Sequence, residues 1–206
     1  MLSHRDHGKP IHIRGNQLFG ESDADYGSKL EESRKSTSGY VFFFNHNLIC
    51  WRSKLQPIIA TSTHESELIA LHIASQEAIW LRNLVAEFKA CVTGITLDEI
   101  LDDPERPTDA PPKLSPTYIL GDNLGSVHTL ANPVQSKHIE IRYMKNREYQ
   151  EQKRLIIGHI DGKQNIADLF TKPLTLQPFQ RYLKLMGMKG KKSNFDPSSI
   201  NHSKHE

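Results

Sequence analysis

Four carboxylates in this sequence fall where the chain changes direction, positions that hold an acid rigidly and leave it open to a ligand: Asp23, Glu67, Asp122 and Asp168. Each has an ordinary reading beside the chemical one. Asp23 closes a run of short apolar alternation, residues 11–24, as a metal ligand on a rigid strand end would, and equally as a turn-forming aspartate. Asp25 shares that face if the strand runs two residues further, so spacing does not choose between the two. Glu67 stands in register with Leu71, Ala74, Ala78 and Leu81 and so looks toward the buried side of a helix, where an acid requires a partner. Glu65 points about 200° away around the helix and completes a capping box with Ser62, which accounts for it without catalysis.

Asp122 follows Tyr118-Ile119-Leu120 and precedes a helix, the place of an N-cap, but Asn123 caps equally well and leaves Asp122 partly unexplained. Asp168 lies three residues after the cap candidate Asn165, where a carboxylate favours the helix dipole by ~0.3–1 kcal/mol. What outweighs these separate readings is their coincidence. Four acids converging on one rim repel one another unless cations neutralise them, and oxygen-only donors suit magnesium or manganese.

The elements that must position these acids are legible from periodicity. Residues 11–24 read as one or two strands, Gly39 to Phe44 as a strongly β-prone run, and Asn45-His46-Asn47 as a hairpin turn into Leu48 to Trp51. From His64 to Ala90 apolar residues recur at spacings of three and four, the stripe of a long amphipathic helix. Between Thr93 and Pro116 lie five of the eleven prolines and six acidic residues without periodicity, which predicts a disordered insertion. Thr117 to Leu120 reads as a short buried strand, followed by a helix to about Ala131 and another over residues 139–152. Leu155 to Ile160 is a last strand, Asn165 caps a brief helix stopped by Pro173, and Pro178 to Met186 is a helix ended by Gly187. The expected organisation is a flexible end at 1–10, one domain over 11–188 interrupted at 93–116, and a disordered basic tail at 189–206. Strands followed by helices, then alternating strand and helix, give an α/β domain with a mixed sheet covered by helices.

Composition excludes more than it assigns. A chain of 206 residues with 37% apolar content sustains one core, and a net charge of +2 does not by itself argue for a nucleic-acid partner. Cys50 and Cys91 support neither a disulfide framework nor a cysteine-rich zinc site. No apolar run approaches the ~20 residues that span a bilayer, so a soluble protein without a membrane partner is expected. His64-Glu65 lacks the second histidine of a zinc-protease helix, Leu68 standing in its place. A phosphate-binding G-x-x-x-x-G-K-[ST] loop and a G-x-S-x-G elbow are absent.

Eight words occur in order: S-D-A-D-Y-G, R-K-S-T-S-G-Y-V-F-F, I-C-W-R-S-K-L-Q-P, H-E-S-E-L-I-A-L, E-A-I-W-L-R, G-D-N, S-K-H-I-E-I-R-Y and A-D-L-F-T-K-P-L. Together, from about Ile11 to Met188, they resemble the ribonuclease H end of copia-type retrotransposon Pol polyproteins. The resemblance implies a ribonuclease H-like mixed five-stranded sheet, three antiparallel strands then parallel ones, flanked by helices. It places the family's four metal-binding, catalytic acids on Asp23, Glu67, Asp122 and Asp168, and so favours Asp23 over Asp25. It departs from the family at Tyr26, where Trp is usual, and at Met144-Lys145, where His-Phe is usual.

The implied activity is cleavage of the RNA strand of an RNA–DNA hybrid with two magnesium ions, manganese substituting, during reverse transcription. A non-cleaving nucleic-acid-binding or interaction module and a decayed fragment are the rival readings. Candidate substrate contacts are Arg34, Lys35, Ser36, Thr37 and the adjoining Ser38, a run whose commoner meaning is a solvated loop, together with Asn123, Lys137 and His138. No Y-x-D-D polymerase word occurs, so the chain resembles a C-terminal piece of a larger protein. The expected partners are the hybrid and a reverse transcriptase domain, the isolated domain being monomeric. The expected location is intracellular: cytoplasm, in a virus-like particle, or nucleus.

Overall fold

The computed structural model describes residues 4–6, 9–11, 17–27, 33–100, 114–131 and 141–188. Its strands are β1 (His4–Asp6), β2 (Lys9–Ile11), β3 (Leu18–Asp25), β4 (Thr37–Phe44), β5 (Asn47–Leu55), β6 (Thr117–Gly121) and β7 (Leu155–His159). They form one sheet in the order β2-β1-β7-β6-β3-β4-β5. β3, β4 and β5 are antiparallel, while β6 and β7 run parallel to β3, so the expected five-stranded arrangement is the one observed. The addition is at the far edge. β1 and β2, which fall in and beside the stretch 1–10 expected as a flexible end, pair with each other, and β1 meets β7 at Arg5 and His159.

The helices follow from what the sheet leaves uncovered. β4 alternates Tyr40 and Phe42 to one face and Val41 and Phe43 to the other, so both faces demand cover. On the first face lies α1 (Thr63–Thr93), whose Leu68, Leu71, Ala74, Ala78 and Leu81 pack with Tyr40, Phe42, Ile119 and Ile157. Gly20 lets the Phe42 ring lie against β3, since a Cβ there would come within 2.4 Å of it. On the second face Phe19 and Phe43 stack at 5.0 Å and pack with Ile166, Tyr182 and Met186. The β4–β5 hairpin turns on Asn45 and His46, both at positive φ (50° and 63°), the backbone that matches strand twist in a two-residue hairpin.

α1 ends at Gly94 in the left-handed conformation. The stretch read as a disordered insertion is not without structure at its two ends. α2 (Leu97–Ile100) follows α1, Ile100 and Leu114 are buried against Ala86, and Arg82 donates to Ser115 O at 2.6 Å and Leu114 O at 2.9 Å. Proline and acid content did not reveal this, because the anchoring groups lie on α1; residues 101–113 lie outside the described residues. The remaining helices are α3 (Leu124–Ala131), α4 (Ile141–Glu151) and α5 (Leu176–Leu185), with short 3-10 turns at Gly162–Gln164 and Ile166–Phe170. The brief helix expected after Asn165 is the second of these turns. The basic tail at 189–206 lies outside the described residues. Among those described, no helix is long and apolar enough to cross a membrane.

Candidate metal centre

β3 and β6 are parallel neighbours, with Ser22 opposite Gly121, so their C-terminal ends lie side by side. Asp23 is one residue past that pair and Asp122 directly follows β6, which puts two carboxylates at adjacent strand ends. The first turn of α1 is fixed beside them from two directions. Gln56 Nε2 donates to Ser66 O and to Ser38 Oγ, both at 2.8 Å, tying the helix start to β4. The His64 ring shares hydrogen bonds with Ser126 Oγ at 3.2 Å and Thr129 Oγ1 at 3.3 Å, tying it to α3. Ser62 Oγ caps the helix by accepting from Glu65 N at 3.1 Å. The Glu65 carboxylate accepts from Thr61 N at 2.6 Å, one residue earlier than a capping box places it, and is structural as expected. Glu67, two residues on, faces the strand ends and is 5% exposed.

Asp122 is not the cap of α3. Asn123 Oδ1 accepts from Ser126 N at 2.9 Å and Ser126 Oγ at 3.0 Å, so the cap does not need the Asp122 carboxylate. The backbone of Asp122 is held by His159, whose Nε2 donates to its carbonyl at 3.1 Å; a carbonyl only accepts, so that nitrogen carries the proton.

The fourth acid arrives on the turn Ile166–Phe170. Asn165 donates through Nδ2 to Ser22 O at 3.0 Å and caps the turn by accepting from Ala167 N at 3.1 Å. Ile166 N donates to Glu21 Oε2 at 2.5 Å. The turn rests on β4 at Gly39, the residue paired with Asp23, where a Cβ would meet Thr171 Cγ2 at 2.7 Å and Phe170 Cβ at 2.9 Å. The missing side chain lets Asp168, Thr171 and Lys172 come over Asp23. Thr171 Oγ1 donates to Asp23 Oδ2, and Tyr182 OH lies 3.5 Å from Asp168 Oδ2.

Carboxylate oxygens of Asp23, Glu67 and Asp122 all lie within 4.8 Å of one another. Asp168 joins them through Lys172, whose Nζ is 2.8 Å from Asp168 Oδ1 and 3.8 Å from Asp23 Oδ2. The electrostatics record the crowding. Burial, then the charges of Asp23 and Asp122, push the Glu67 carboxyl up to about 9. Asp168 is pushed up to about 6, chiefly by burial and further by Asp23, against the pull of Lys172. Asp122 is raised by burial and then by Asp23. Among the described residues the one ammonium paired with these acids, Lys172, does not offset four carboxylates, and an all-oxygen donor set short of positive charge fits a hard divalent cation. Asp25, half-buried, lies outside the close triad, which contains Asp23.

Other sequence candidates fare differently. Arg34 is exposed and Lys35 half-buried, whereas Ser36 is fully buried with its hydroxyl accepting from Gly27 N at 3.1 Å. Ser36 thus braces its own loop, and Ser38 is likewise bound to Gln56. Thr37 is half-buried in β4, paired with Asp25 and Leu55. Asn123 has its side-chain oxygen engaged as the α3 cap. Lys137 and His138 lie outside the described residues. Sequence reasoning missed Lys172, Thr171 and Glu21. The i+3 and i+4 spacing of Thr171 and Lys172 from Asp168 was a usable signal, as was the shared strand face of Glu21, Asp23 and Asp25. Glu21 is wholly buried, and burial pushes its carboxyl up to about 8.

The fold and site thus define a mixed-sheet domain with an acidic cluster at the ends of its parallel strands. The resemblance read from the sequence is borne out: the chain's homologues are retrovirus-related Pol polyproteins of copia-like transposons. It is 30% identical over 174 residues, 83% of its length, to the Pol polyprotein from transposon TNT 1-94 of Nicotiana tabacum. It is also 30% identical over 188 residues, 89% of its length, to that from transposon RE2 of Arabidopsis thaliana. The chain spans 11% of the length of each. Over 65 residues it is 51% identical to secreted RxLR effector protein 161 of Plasmopara viticola, covering 45% of that protein. No protein-family model matches the chain. Among solved structures, the N-terminal RNase H domain of rv2228c from Mycobacterium tuberculosis aligns with 82% of the chain and 98% of its own length at TM-score 0.48 and 13% identity. LC11-RNase H1 in complex with RNA/DNA hybrid aligns with 75% of the chain and 94% of its own length at 0.46 and 15%.

Proposed function

We propose that this chain is a ribonuclease H that hydrolyses the RNA strand of RNA–DNA hybrids, and that Asp23, Glu67, Asp122 and Asp168 hold two divalent cations, magnesium or manganese, at its active centre. The observation that carries the reading is the meeting of Asp23, Glu67 and Asp122 within 4.8 Å at the ends of β3 and β6, in a chain homologous to transposon Pol polyproteins. When bound, such cations supply Lewis-acid stabilisation of phosphoryl charge and a more acidic water. The chain's own residues do the positioning. Thr171 fixes one Asp23 oxygen, His159 holds the backbone of Asp122, and Asn165 with Glu21 seats the turn that carries Asp168. Glu67 keeps a proton on its carboxyl up to about pH 9 until added positive charge releases it. Discrimination of RNA from DNA falls to contacts with 2′-hydroxyls across the shallow minor groove, so little base preference is expected. The parent polyprotein's reverse transcriptase is the proposed partner.

The test is cleavage of a hybrid labelled on its RNA strand by the purified chain in magnesium. Wild type is expected to cut the RNA strand, and Asp23→Asn and Asp122→Asn are expected to abolish cutting with thermal unfolding still cooperative. Hybrid bound but uncut by folded wild type supports a binding module in place of an enzyme.

A further inference from the structure

Lys172 stands out as a cation already inside the cluster. It lies four residues after Asp168, just past the end of the turn Ile166–Phe170, which taken alone describes an ordinary i,i+4 ion pair worth little at a surface. Its second partner makes it something else. Asp23 is 2% exposed, comes from a strand on the other side of the chain's sequence, and its Oδ2 lies 3.8 Å from Lys172 Nζ. Both Asp23 and Asp168 are on the proposed ligand set, and the 2.8 Å contact engages Asp168 Oδ1. The Lys172 side chain is 38% exposed, so this cation borders solvent, unlike Asp23. Thr171 anchors the neighbouring position to Asp23, and Lys172 N donates to Asp168 O at 3.3 Å, so the backbone at Lys172 is tied to both acids independently of its side chain.

We propose that Lys172 is a built-in counter-cation that a divalent ion must displace: its ammonium neutralises Asp168 and Asp23 in the metal-free protein and swings to the rim on loading. The inference rests on the reading of the four acids as a divalent-cation site and adds a regulator to it. Removing the ammonium leaves the acids more repulsive when metal-free and more receptive to metal. An opposite charge at this range shifts a carboxylate's proton affinity by roughly 1–3 units, so the competition with a divalent ion is worth about tenfold or more in affinity.

The experiment is a manganese titration, free ion followed by electron paramagnetic resonance, of wild type, Lys172→Met and Lys172→Arg, with thermal unfolding of each in EDTA. Lys172→Met is expected to bind manganese about tenfold more tightly and to unfold at lower temperature in EDTA, while Lys172→Arg stays close to wild type. Equal or weaker manganese affinity in folded Lys172→Met overturns the displacement and leaves the acid site standing. No manganese binding by wild type overturns the reading of the acids and the displacement with it. Should Lys172→Met fail to fold, the wild-type protein answers by itself. The ¹⁵N signal of the Lys172 ammonium, shielded in EDTA, should broaden or shift when magnesium saturates the site, and a signal that does not respond refutes the proposal.

Discussion

Replacing Glu67 by glutamine should stabilise the metal-free protein while ruining the site, and the size of the gain follows from the crowding of the acids. In the unfolded chain Glu67 releases its proton near 4.5; in the folded chain burial and the charges of Asp23 and Asp122 hold the proton up to about 9. Between those values the folded state binds the additional proton, so the contribution of Glu67 is complete below about pH 4.5 and is lost as pH rises through that window. At pH 7 the difference of roughly 2.5 units corresponds to about 3 kcal/mol against folding, at 1.36 kcal/mol per unit. Glutamine is neutral in both states and escapes it. Glu67→Gln should therefore raise stability in EDTA by about 2–3 kcal/mol at pH 7, or roughly 4–12 °C in a chain of this size, and by almost nothing at pH 4.5. Saturating magnesium should reverse the order, because wild type gains binding energy that the variant loses. Differential scanning calorimetry at both pH values, with EDTA and with magnesium, reads all four numbers. A variant no more stable than wild type at pH 7 in EDTA, or one whose gain does not depend on pH, refutes the electrostatic account of the cluster.

Two further outcomes follow from the packing. Gly39→Ala drives a methyl group into Thr171 and Phe170 and should cost about 1–3 kcal/mol in urea unfolding, with a larger proportional loss of hybrid cleavage because the turn carrying Asp168 is lifted from Asp23. Asn123→Ala removes the α3 cap and should lower stability by about 0.5–2 kcal/mol while hybrid affinity, measured by fluorescence anisotropy with calcium in place of magnesium, stays within twofold; a selective loss of affinity would restore Asn123 as a substrate contact.

The sheet was largely legible because its strands obey simple periodicity: the aromatic run at Gly39 to Phe44 and the apolar Thr117 to Leu120 leave little choice of element. The acids were legible one by one as residues at element ends, and the capping power of Asn123 correctly left Asp122 over. Their convergence was another matter. It depends on β3 and β6 being parallel neighbours and on Gly39 admitting the turn of Asp168, and neither long-range fact is written in local spacing. The same reason hid Lys172, whose role comes from Asp23 far away in the chain. The burial of Ser36 was not legible because a polar residue in a basic run looks solvated, whereas its hydroxyl is buried against Gly27. The β1–β2 hairpin was missed because three-residue strands carry too short a pattern to read, and the ordered ends of the 93–116 stretch because Arg82, which holds them, looks like one more charge on α1.

The most direct test of the cluster is anomalous scattering from crystals of the wild-type protein grown with manganese and a hybrid whose RNA strand cannot be cut. The account predicts two peaks about 3.5–4 Å apart among the carboxylates of Asp23, Glu67, Asp122 and Asp168. Peaks elsewhere, or no peak in this cluster with the hybrid seated, would contradict it.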